Sequence, residues 1–341
     1  MNALFTSLAT AALAAGWAHG LAPHPFLPPP PASIAQQAGQ PAVAPDSPAP
    51  LKVDATLVSL DVLVTDEDGR VLRALAPTNF RILDNGSSQE LVSFAPVATP
   101  ITIVVVMEYS AASYGYFAPR ATQWTSSFLD HLDAGDWVAL VTFDMNSRVR
   151  ADFTHRRYEI RDALSSIGFP QFNEVNLFDT LTSTLDMLDN VRGKKSILLI
   201  ATGVNTFSAS TLDDVLKRLR RTDATIFCVG LAEAELGLDG TLAYTQARNQ
   251  LSSFSKQTGG IALFPRFDGE LPGIFRSIVG FQRSEYNLTF RPPPSSRDGR
   301  YHKLKVEIVG ADGKPLRVTD EKGRKRNVEV YTRQGYMAPR D

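Results

Sequence analysis

Between residues 101 and 281, short apolar runs alternate with amphipathic stretches. The apolar runs predict strands at Ile101–Met107, Trp137–Phe143, Ser196–Ala201, Thr225–Gly230 and Gly260–Phe264. The amphipathic stretches predict helices near Phe117–His131, Arg156–Ile167, Leu177–Asn190, Leu212–Arg221, Leu242–Gln257 and Gly269–Phe281. Residues Arg148–Phe153 are predicted to form a short antiparallel strand at the edge of the same sheet.

This alternation is typical of βαβ units, which build a mostly parallel sheet with helices on both faces. Strands that are buried on both faces are nearly continuous in Val, Ile and Leu, as these runs are. Ligands of such sheets bind beyond the carboxyl ends of the strands. Glu108, Asp144 and Thr202 lie at those ends, so the sequence predicts an α/β fold whose functional surface is that edge.

The pattern changes to the two-residue alternation of strands in residues 51–97 and again in residues 284–341. Asp84-Asn85-Gly86 between two such runs predicts a type I′ hairpin turn. Neither flank has many strands, and a lone strand pair is only marginally stable. We therefore expect the two flanks to form one β-sandwich, with residues 98–283 inserted between them. Two independent small β modules are the alternative.

The N-terminal residues 1–20 resemble a signal peptide. Leu4–Ala18 is apolar and rich in small residues, and Ala18-His19-Gly20 resembles a small-x-small cleavage site. The run is short for a membrane span. However, no Lys or Arg precedes Lys52, which departs from the usual basic start. We predict a chain that is exported to the periplasm, the outer surface or the medium, with no transmembrane segment after cleavage.

Residues 21–50 contain ten prolines and one charged residue, Asp46. Such a segment cannot bury enough apolar surface to fold, and its proline content favours extended polyproline II conformations. We expect a disordered linker. It either holds the following domain away from a surface or is only an unstructured connection.

Composition excludes several classes of protein. Hydrophobic residues make up 43% of the 341-residue chain, which is enough to bury a sizeable core. The formal net charge of −1 gives no reason to expect a nucleic acid partner. The one cysteine, Cys228, lies in the apolar run ATIFCVG and is predicted to be a core residue, so the fold does not depend on disulfides.

Catalytic motifs are absent from the sequence. It contains no H-E-x-x-H, G-x-S-x-G, P-loop or G-x-G-x-x-G pattern. His131, His155 and His302 each stand alone in the sequence. We expect a non-catalytic protein that binds a protein partner. The alternatives are a hydrolase or other enzyme with an unrecognised site, and a purely structural protein of the cell envelope.

One resemblance to a known family is specific. The chain resembles the VWA-related (von Willebrand factor type A) proteins of acidobacteria from Lys52 to Pro339. The residues that carry it are LDVLVTDEDGRVLRALAPTNFRILDNGSSQELVSF, ITIVVVMEYSAA, VNLFDTLTSTLDML, SILLIATGVNTFS and RQGYMAP. The resemblance implies a von Willebrand A fold in a secreted or envelope protein, and it implies little about activity.

The resemblance also implies the place of a metal-ion-dependent adhesion site, which needs D-x-S-x-S, a Thr and a further Asp. Hard oxygen ligands of this kind suit Mg²⁺. In this chain the five positions carry Glu108, Ser110, Ala112, Val175 and Thr202. Two of them have no side-chain oxygen, and Glu108 is one methylene longer than Asp. We therefore expect a degenerate site that binds no metal or other cofactor.

The same loops carry aromatic and polar residues that are candidates for binding a protein partner. These candidates are Tyr109, Tyr114, Tyr116, Asn173, Glu174 and Asn205. Rigid aromatic side chains are favoured at recognition surfaces. The alternative interpretation is that the aromatic rings fill the space of the lost metal site and that the polar residues belong to loops and helix caps.

Overall fold

The computed structural model describes residues 57–96, 100–114, 124–125, 127–230, 242–319, 322–338 and 340. The predicted signal peptide (1–20) and linker (21–50) lie outside the described residues. In chain order the strands are β1 (Val58–Asp66), β2 (Phe80–Asp84), β3 (Ser87–Gln89), β4 (Leu91–Pro96), β5 (Ile101–Glu108), β6 (Trp137–Phe143), β7 (Ser147–Thr154), β8 (Lys194–Ala201), β9 (Thr225–Gly230), β10 (Ala262–Leu263), β11 (Tyr286–Phe290), β12 (Tyr301–Ile308), β13 (Arg317–Thr319), β14 (Lys325–Tyr331) and β15 (Gly335–Met337).

The helices are α1 (Arg157–Ser165), α2 (Leu177–Leu188), α3 (Leu212–Leu219), α4 (Leu242–Thr258) and α5 (Leu271–Gln282). Further helical backbone occurs at residues 111–114, 124–125 and 127–129. The predicted helix Phe117–His131 falls partly on that backbone and partly outside the described residues. In the part of the chain that the structure describes, no helix has the length and apolar character needed to cross a bilayer.

A six-stranded sheet in the order β10-β9-β8-β5-β6-β7 forms the centre of the α/β domain. Its neighbours are parallel except for β7, which runs antiparallel to β6 at the edge. All eight residues of the central strand β5 are buried, because helices cover both faces. Ile160 of α1 and Phe275 of α5 belong to the core on one face. Leu181 of α2, Val215 of α3 and Phe254 of α4 belong to the core on the other face.

The two flanks form one β-domain of two sheets, in the orders β13-β14-β1-β11-β4 and β15-β12-β2-β3. Strand β1 pairs with β11 and β14, and β2 pairs with β12, so each sheet combines strands from before and after the α/β domain. Leu60, Ile82, Phe290 and Val306 share one core between the sheets. The expected single β-sandwich with an inserted α/β domain is therefore confirmed, and the alternative of two independent modules is wrong.

One strand and one helix begin later in the chain than the sequence predicts. Strand β10 begins at Ala262 rather than Gly260, because Gly259 adopts φ +86° and turns the chain. Gly260 then lies against the neighbouring backbone, where an added Cβ would be 2.0 Å from the carbonyl oxygen of Ile226. Helix α5 begins at Leu271, after a short 3₁₀ turn at Asp268–Glu270. The predicted turn at Asn85-Gly86 has positive φ at both residues, as a type I′ turn requires.

Partly buried ion pairs lie at the amino ends of the central strands, next to the β-domain. Lys194, at the start of β8, pairs with Asp61 of β1 at 3.3 Å and with Glu285 beside β11. Arg283 pairs with Asp136, which accepts a hydrogen bond from the N–H of Ile101 at 3.0 Å. These contacts lie where the chain enters and leaves the α/β domain, opposite the edge that the sequence predicts to be functional.

Candidate functional site

The candidate site lies at the carboxyl end of β5. The strand ends at Glu108, whose side chain is buried with 1% of its surface exposed. One carboxylate oxygen accepts a hydrogen bond from the Ser110 hydroxyl at 3.2 Å. The other accepts two, from the N–H of Thr202 at 2.8 Å and from its hydroxyl at 2.7 Å. Because β5 and β8 are neighbours in the sheet, these bonds close the gap between the two strand ends.

Burial raises the pKa of Glu108, because the charged carboxylate loses its hydration. The hydrogen bonds from Thr202 and Ser110 stabilise the carboxylate and oppose that rise without cancelling it. Glu108 is thus an internal polar group whose hydrogen-bonding capacity is directed at its own protein.

Ser110 is held by Ser113, which follows the position of Ala112. The two hydroxyl oxygens lie 3.1 Å apart, and the Ser113 hydroxyl also approaches the Ser110 carbonyl at 3.2 Å. Ser110 and Ser113 are fully buried, whereas Ala112 is exposed. The hydroxyl one residue beyond the family position therefore serves an internal hydrogen bond.

Val175 is a buried packing residue at the crossing of two loops. Its N–H donates to the hydroxyl of Thr206 at 2.8 Å. Its carbonyl accepts from the N–H groups of Thr206 and Phe207 at 2.9 and 3.0 Å. Both backbone groups are thus used in joining the loops, and the isopropyl side chain packs in the core beneath them.

These residues do not fit a Mg²⁺ ion, which requires a near-octahedral set of oxygen ligands. The two carboxylate oxygens of Glu108 already accept hydrogen bonds from three donors within the protein. Val175 and Ala112 have no side-chain oxygen. In the described residues no group of three His, Cys, Asp or Glu side chains is arranged to hold a metal ion. The donor set is that of a closed hydrogen-bonded network.

Comparison with known proteins identifies the α/β domain. Residues 102–259 match the model of the von Willebrand factor type A domain family. This segment is a von Willebrand factor type A (VWA) domain. No curated protein sequence matches the chain. The VWA domain has the α/β fold, the parallel sheet and the strand order described above.

Solved structures that resemble the chain do so at low identity. The conserved hypothetical protein BatB from Bacteroides thetaiotaomicron is 13% identical, with a TM-score of 0.42, and the match covers 53% of this chain and 98% of BatB. A von Willebrand factor type A protein from Catenulispora acidiphila is 12% identical, with a TM-score of 0.43, over 85% of this chain and 76% of that one. The vWF domain of the type V pili tip protein Mfa5 from Porphyromonas gingivalis is 12% identical, with a TM-score of 0.41, over 54% and 95%.

The turn after Thr202 in the VWA domain depends on glycine. Gly203 adopts φ +85°, and an added Cβ would lie 2.6 Å from the carbonyl oxygen of Ala247. The Gly203 carbonyl accepts a hydrogen bond from the Gln250 side chain at 2.9 Å. Helix α4 therefore packs directly on this turn and fixes the position of Thr202.

The two predicted partner-binding tyrosines that the structure describes, Tyr109 and Tyr114, pack against other aromatic rings. Tyr109 is only 7% exposed, so the expectation that it is an exposed aromatic is wrong. Its ring packs edge-on against Tyr114, whose ring contacts Phe169 with centroids 4.2 Å apart. Tyr114 is half-buried, and Tyr116 lies outside the described residues. Burial follows because these rings pack beneath the loop that carries Phe169.

The polar candidates divide into two kinds. Asn173 and Glu174 are exposed on the loop before α2, as a binding role requires. Asn205 instead caps that helix from another loop, because its side-chain oxygen accepts from the N–H groups of Leu177 and Phe178 at 3.0 and 3.3 Å. The half-buried Asn205 is therefore a structural residue in the VWA domain, as the alternative interpretation held.

Large apolar side chains that the sequence analysis did not single out are exposed on the α/β domain. Phe169, Phe207, Leu242 and Phe267 have 72%, 55%, 74% and 61% of their surfaces exposed. All four lie outside the strands, and Phe169 and Phe207 belong to the loops around Val175 and Thr206. An aromatic residue between Gly168 and Pro170 is the one local signal of such exposure, since that segment cannot continue a helix.

Proposed function

We propose that this protein is an exported, non-catalytic protein-binding module of the cell envelope that recognises its partner without a metal ion. The observation that supports this most is the exposure of Phe169 and Phe207 on loops at the carboxyl ends of the strands. Aromatic side chains give much contact area for little loss of side-chain freedom, and they are common at the centres of interfaces. We call the loops that carry Phe169 and Phe207 the loop face.

Metal independence is supported by the hydrogen bonds of Glu108. Its oxygens accept from Ser110 and Thr202, and a bound ion would have to break those bonds. Mg²⁺ also gives up its own waters reluctantly. The binding energy of the loop face then comes from apolar contacts and hydrogen bonds.

Export is supported by the apolar leader with its Ala18-His19-Gly20 sequence and by the proline-rich residues 21–50. N-terminal sequencing of the native protein together with cell fractionation tests this part. The expected mature chain begins near Leu21 and is found outside the cytoplasm. A cytosolic protein that retains Met1 would contradict export and leave the binding hypothesis to its own test.

The binding hypothesis is tested by cross-linking the full chain to envelope proteins and comparing variants. Phe169→Ser and Phe207→Ser should each lower the yield of a specific cross-linked partner by about tenfold or more, as expected of central contact residues. Tyr158→Ser is the matched control, because Tyr158 is 56% exposed on α1, next to the opposite end of the sheet. A chelator should leave the cross-link unchanged. Equal capture by all three variants, or loss of capture with chelator, would refute the respective part of the proposal.

A further inference from the structure

A cleft of about 250 Å³ opens between the edge strand β7 and the loop before α2. Its wall is formed by Tyr109, Asp144, Arg148, Arg150, Phe169 and Gln171, together with Gly168 and Pro170. We call this the arginine cleft. It lies beside the Glu108 network, and the exposed ring of Phe169 forms part of its wall.

Both arginines line the same cleft, and the register of β7 against β6 shifts at Arg150, between Val149 and Ala151. Arg148 and Arg150 are both partly exposed on β7, which is the outermost strand of the sheet. Strand register places Arg148 opposite Thr142. Neither residue is needed for the hydrophobic core, so the placement of two cations at this point is not explained by packing.

The charges in the cleft do not cancel. Asp144 is buried and pairs with Arg148 at 2.9 Å, and it also accepts the N–H of Asn146 at 2.8 Å. Arg150 donates through Nε to the Thr142 hydroxyl at 2.7 Å. No carboxylate in the described residues forms an ion pair with Arg150, and its two terminal nitrogens make no other hydrogen bond there. One positive charge therefore remains uncompensated.

The electrostatic surroundings of Arg150 are consistent with an uncompensated positive charge. Partial burial lowers the pKa of its guanidinium, and the neighbouring Arg148 lowers it further. Asp144 and Tyr109 act in the opposite direction but do not restore the ordinary value. A cation held under such conditions gains stability when an anion enters the cleft.

We infer that the arginine cleft binds the carboxylate of an acidic residue in a peptide segment of the partner. The contact is an end-on pair of hydrogen bonds from Nη1 and Nη2 of Arg150, since Nε is already used. The apolar residue next to that acidic residue packs on Phe169. This inference rests on the proposed role of the loop face in protein binding and specifies its chemistry.

The chemistry of the cleft favours a carboxylate attached to an apolar neighbour. A guanidinium donates two parallel hydrogen bonds to a carboxylate, which gives both strength and orientation. Asp144 already pairs with Arg148, so the cleft offers the one remaining positive charge of Arg150, which matches a single carboxylate. The exposed Phe169 ring then offers the adjacent residue an apolar surface that water does not hydrate well.

The test is selection of binding peptides on the full chain from a displayed library of random heptapeptides, followed by titration. The expected peptides contain Asp or Glu beside an aromatic or aliphatic residue. Replacing that acid by its amide should weaken binding at least tenfold, equal to about 1.4 kcal/mol. Arg150→Gln should weaken binding to the same degree, and the two changes together should cost little more than either alone. Synthetic peptides with free and amidated C-termini distinguish an acidic side chain from a terminal carboxylate, and only the side chain agrees with the inference.

Three controls make the result decisive. Arg161→Gln removes an arginine of α1 that is paired with Asp130 outside the cleft, and it should leave binding unchanged. Arg150→Lys keeps the charge but loses the paired donors, so it should bind at an intermediate level. Thermal unfolding of each variant shows that the fold is retained.

Selected peptides that bind the loop face without any acidic residue, or peptides unaffected by Arg150→Gln, would overturn the inference while leaving the proposed binding function intact. Failure to select any peptide that depends on a carboxylate would also overturn it.

Discussion

Thr202 donates two hydrogen bonds to one oxygen of Glu108, from its N–H at 2.8 Å and from its hydroxyl at 2.7 Å. The two residues lie 94 positions apart in sequence and end adjacent parallel strands. These hydrogen bonds link the carboxyl ends of β5 and β8 inside the protein. A shorter Asp at position 108 would not reach in the same way, and an Asp at position 202 would repel Glu108. The two departures from the family pattern are thus mutually consistent.

The first prediction concerns the pH dependence of stability. Burial raises the pKa of Glu108 above its ordinary value of 4.5, so the folded state holds the proton more tightly than the unfolded state. Its contribution to stability is present below 4.5 and is lost as the pH rises through the folded-state value. Glu108→Gln resembles the protonated side chain and should remove this loss. Within that window, the free energy of unfolding of the variant should rise relative to that of the wild type by at most about 1.4 kcal/mol per pH unit.

Urea unfolding at several pH values from about 4 to about 8 measures this difference. Glu174→Gln is the matched control, because Glu174 is an exposed carboxylate on the neighbouring loop. Parallel stability curves for the wild type and Glu108→Gln would show that burial does not perturb Glu108 in the way described.

The second prediction concerns the hydroxyl of Thr202. Thr202→Val keeps the shape of the side chain but removes one donor to the buried Glu108 carboxylate. It also removes the acceptor of the Val204 N–H, which lies 3.1 Å from the hydroxyl. We expect a loss of about 1–3 kcal/mol in the free energy of unfolding. Thr202→Ser keeps the hydroxyl and should lose much less, so equal losses in the two variants would assign the effect to packing instead.

The apolar pattern was sufficient to predict the sheet, but not where its loops place their side chains. A buried parallel strand is apolar at every position, and the run that contains Val104 and Val106 has this pattern, which predicts the strand. Tyr109 follows the same strand, and nothing local distinguishes a ring in solvent from a ring beneath another loop. That outcome depends on Phe169 and Tyr114, which approach it through tertiary packing. Burial of loop aromatics is therefore decided by contacts that a single sequence does not display.

The arginine cleft was missed for a related reason. Arg148 and Arg150 alternate along an edge strand, which on its own indicates only a solvated face. Their significance comes from the Asp144 ion pair and from the loop that carries Phe169 across them. By contrast, the turn at Gly203 left a sequence signal, since glycine follows the strand where φ is positive and no Cβ fits.

The third prediction separates two carboxylates that contact one histidine in the β-domain. His302 is buried, with Nδ1 2.8 Å from Asp84 and Nε2 3.2 Å from Asp298. Asp84 is also buried and accepts the Tyr336 hydroxyl at 2.9 Å. Asp84→Ala leaves the Tyr336 hydroxyl and the Nδ1 of His302 without their partner and should cost about 1–3 kcal/mol for each of the two groups. Asp298→Ala changes a partly exposed contact and should unfold close to the wild type. Similar midpoints for the two variants in thermal unfolding would argue against a structural role for the buried network.

The last prediction concerns the interleaved β-domain. Removal of residues 284–341 deletes β11, β12 and β14, which are the partners of β1 and β2. Strand β1 would then expose both its backbone edges and its core residues Leu60, Val62 and Val64, which are buried in the intact fold. An unpaired apolar strand of this kind associates with other chains. The shortened chain should therefore aggregate and bind a hydrophobic dye, as measured by size-exclusion chromatography with light scattering. Co-expression of residues 284–341 as a separate chain should restore a soluble complex, because the strand pairs do not require a covalent connection. A shortened chain that stays monomeric and fully folded would show that the VWA domain and the first flank are stable without the second.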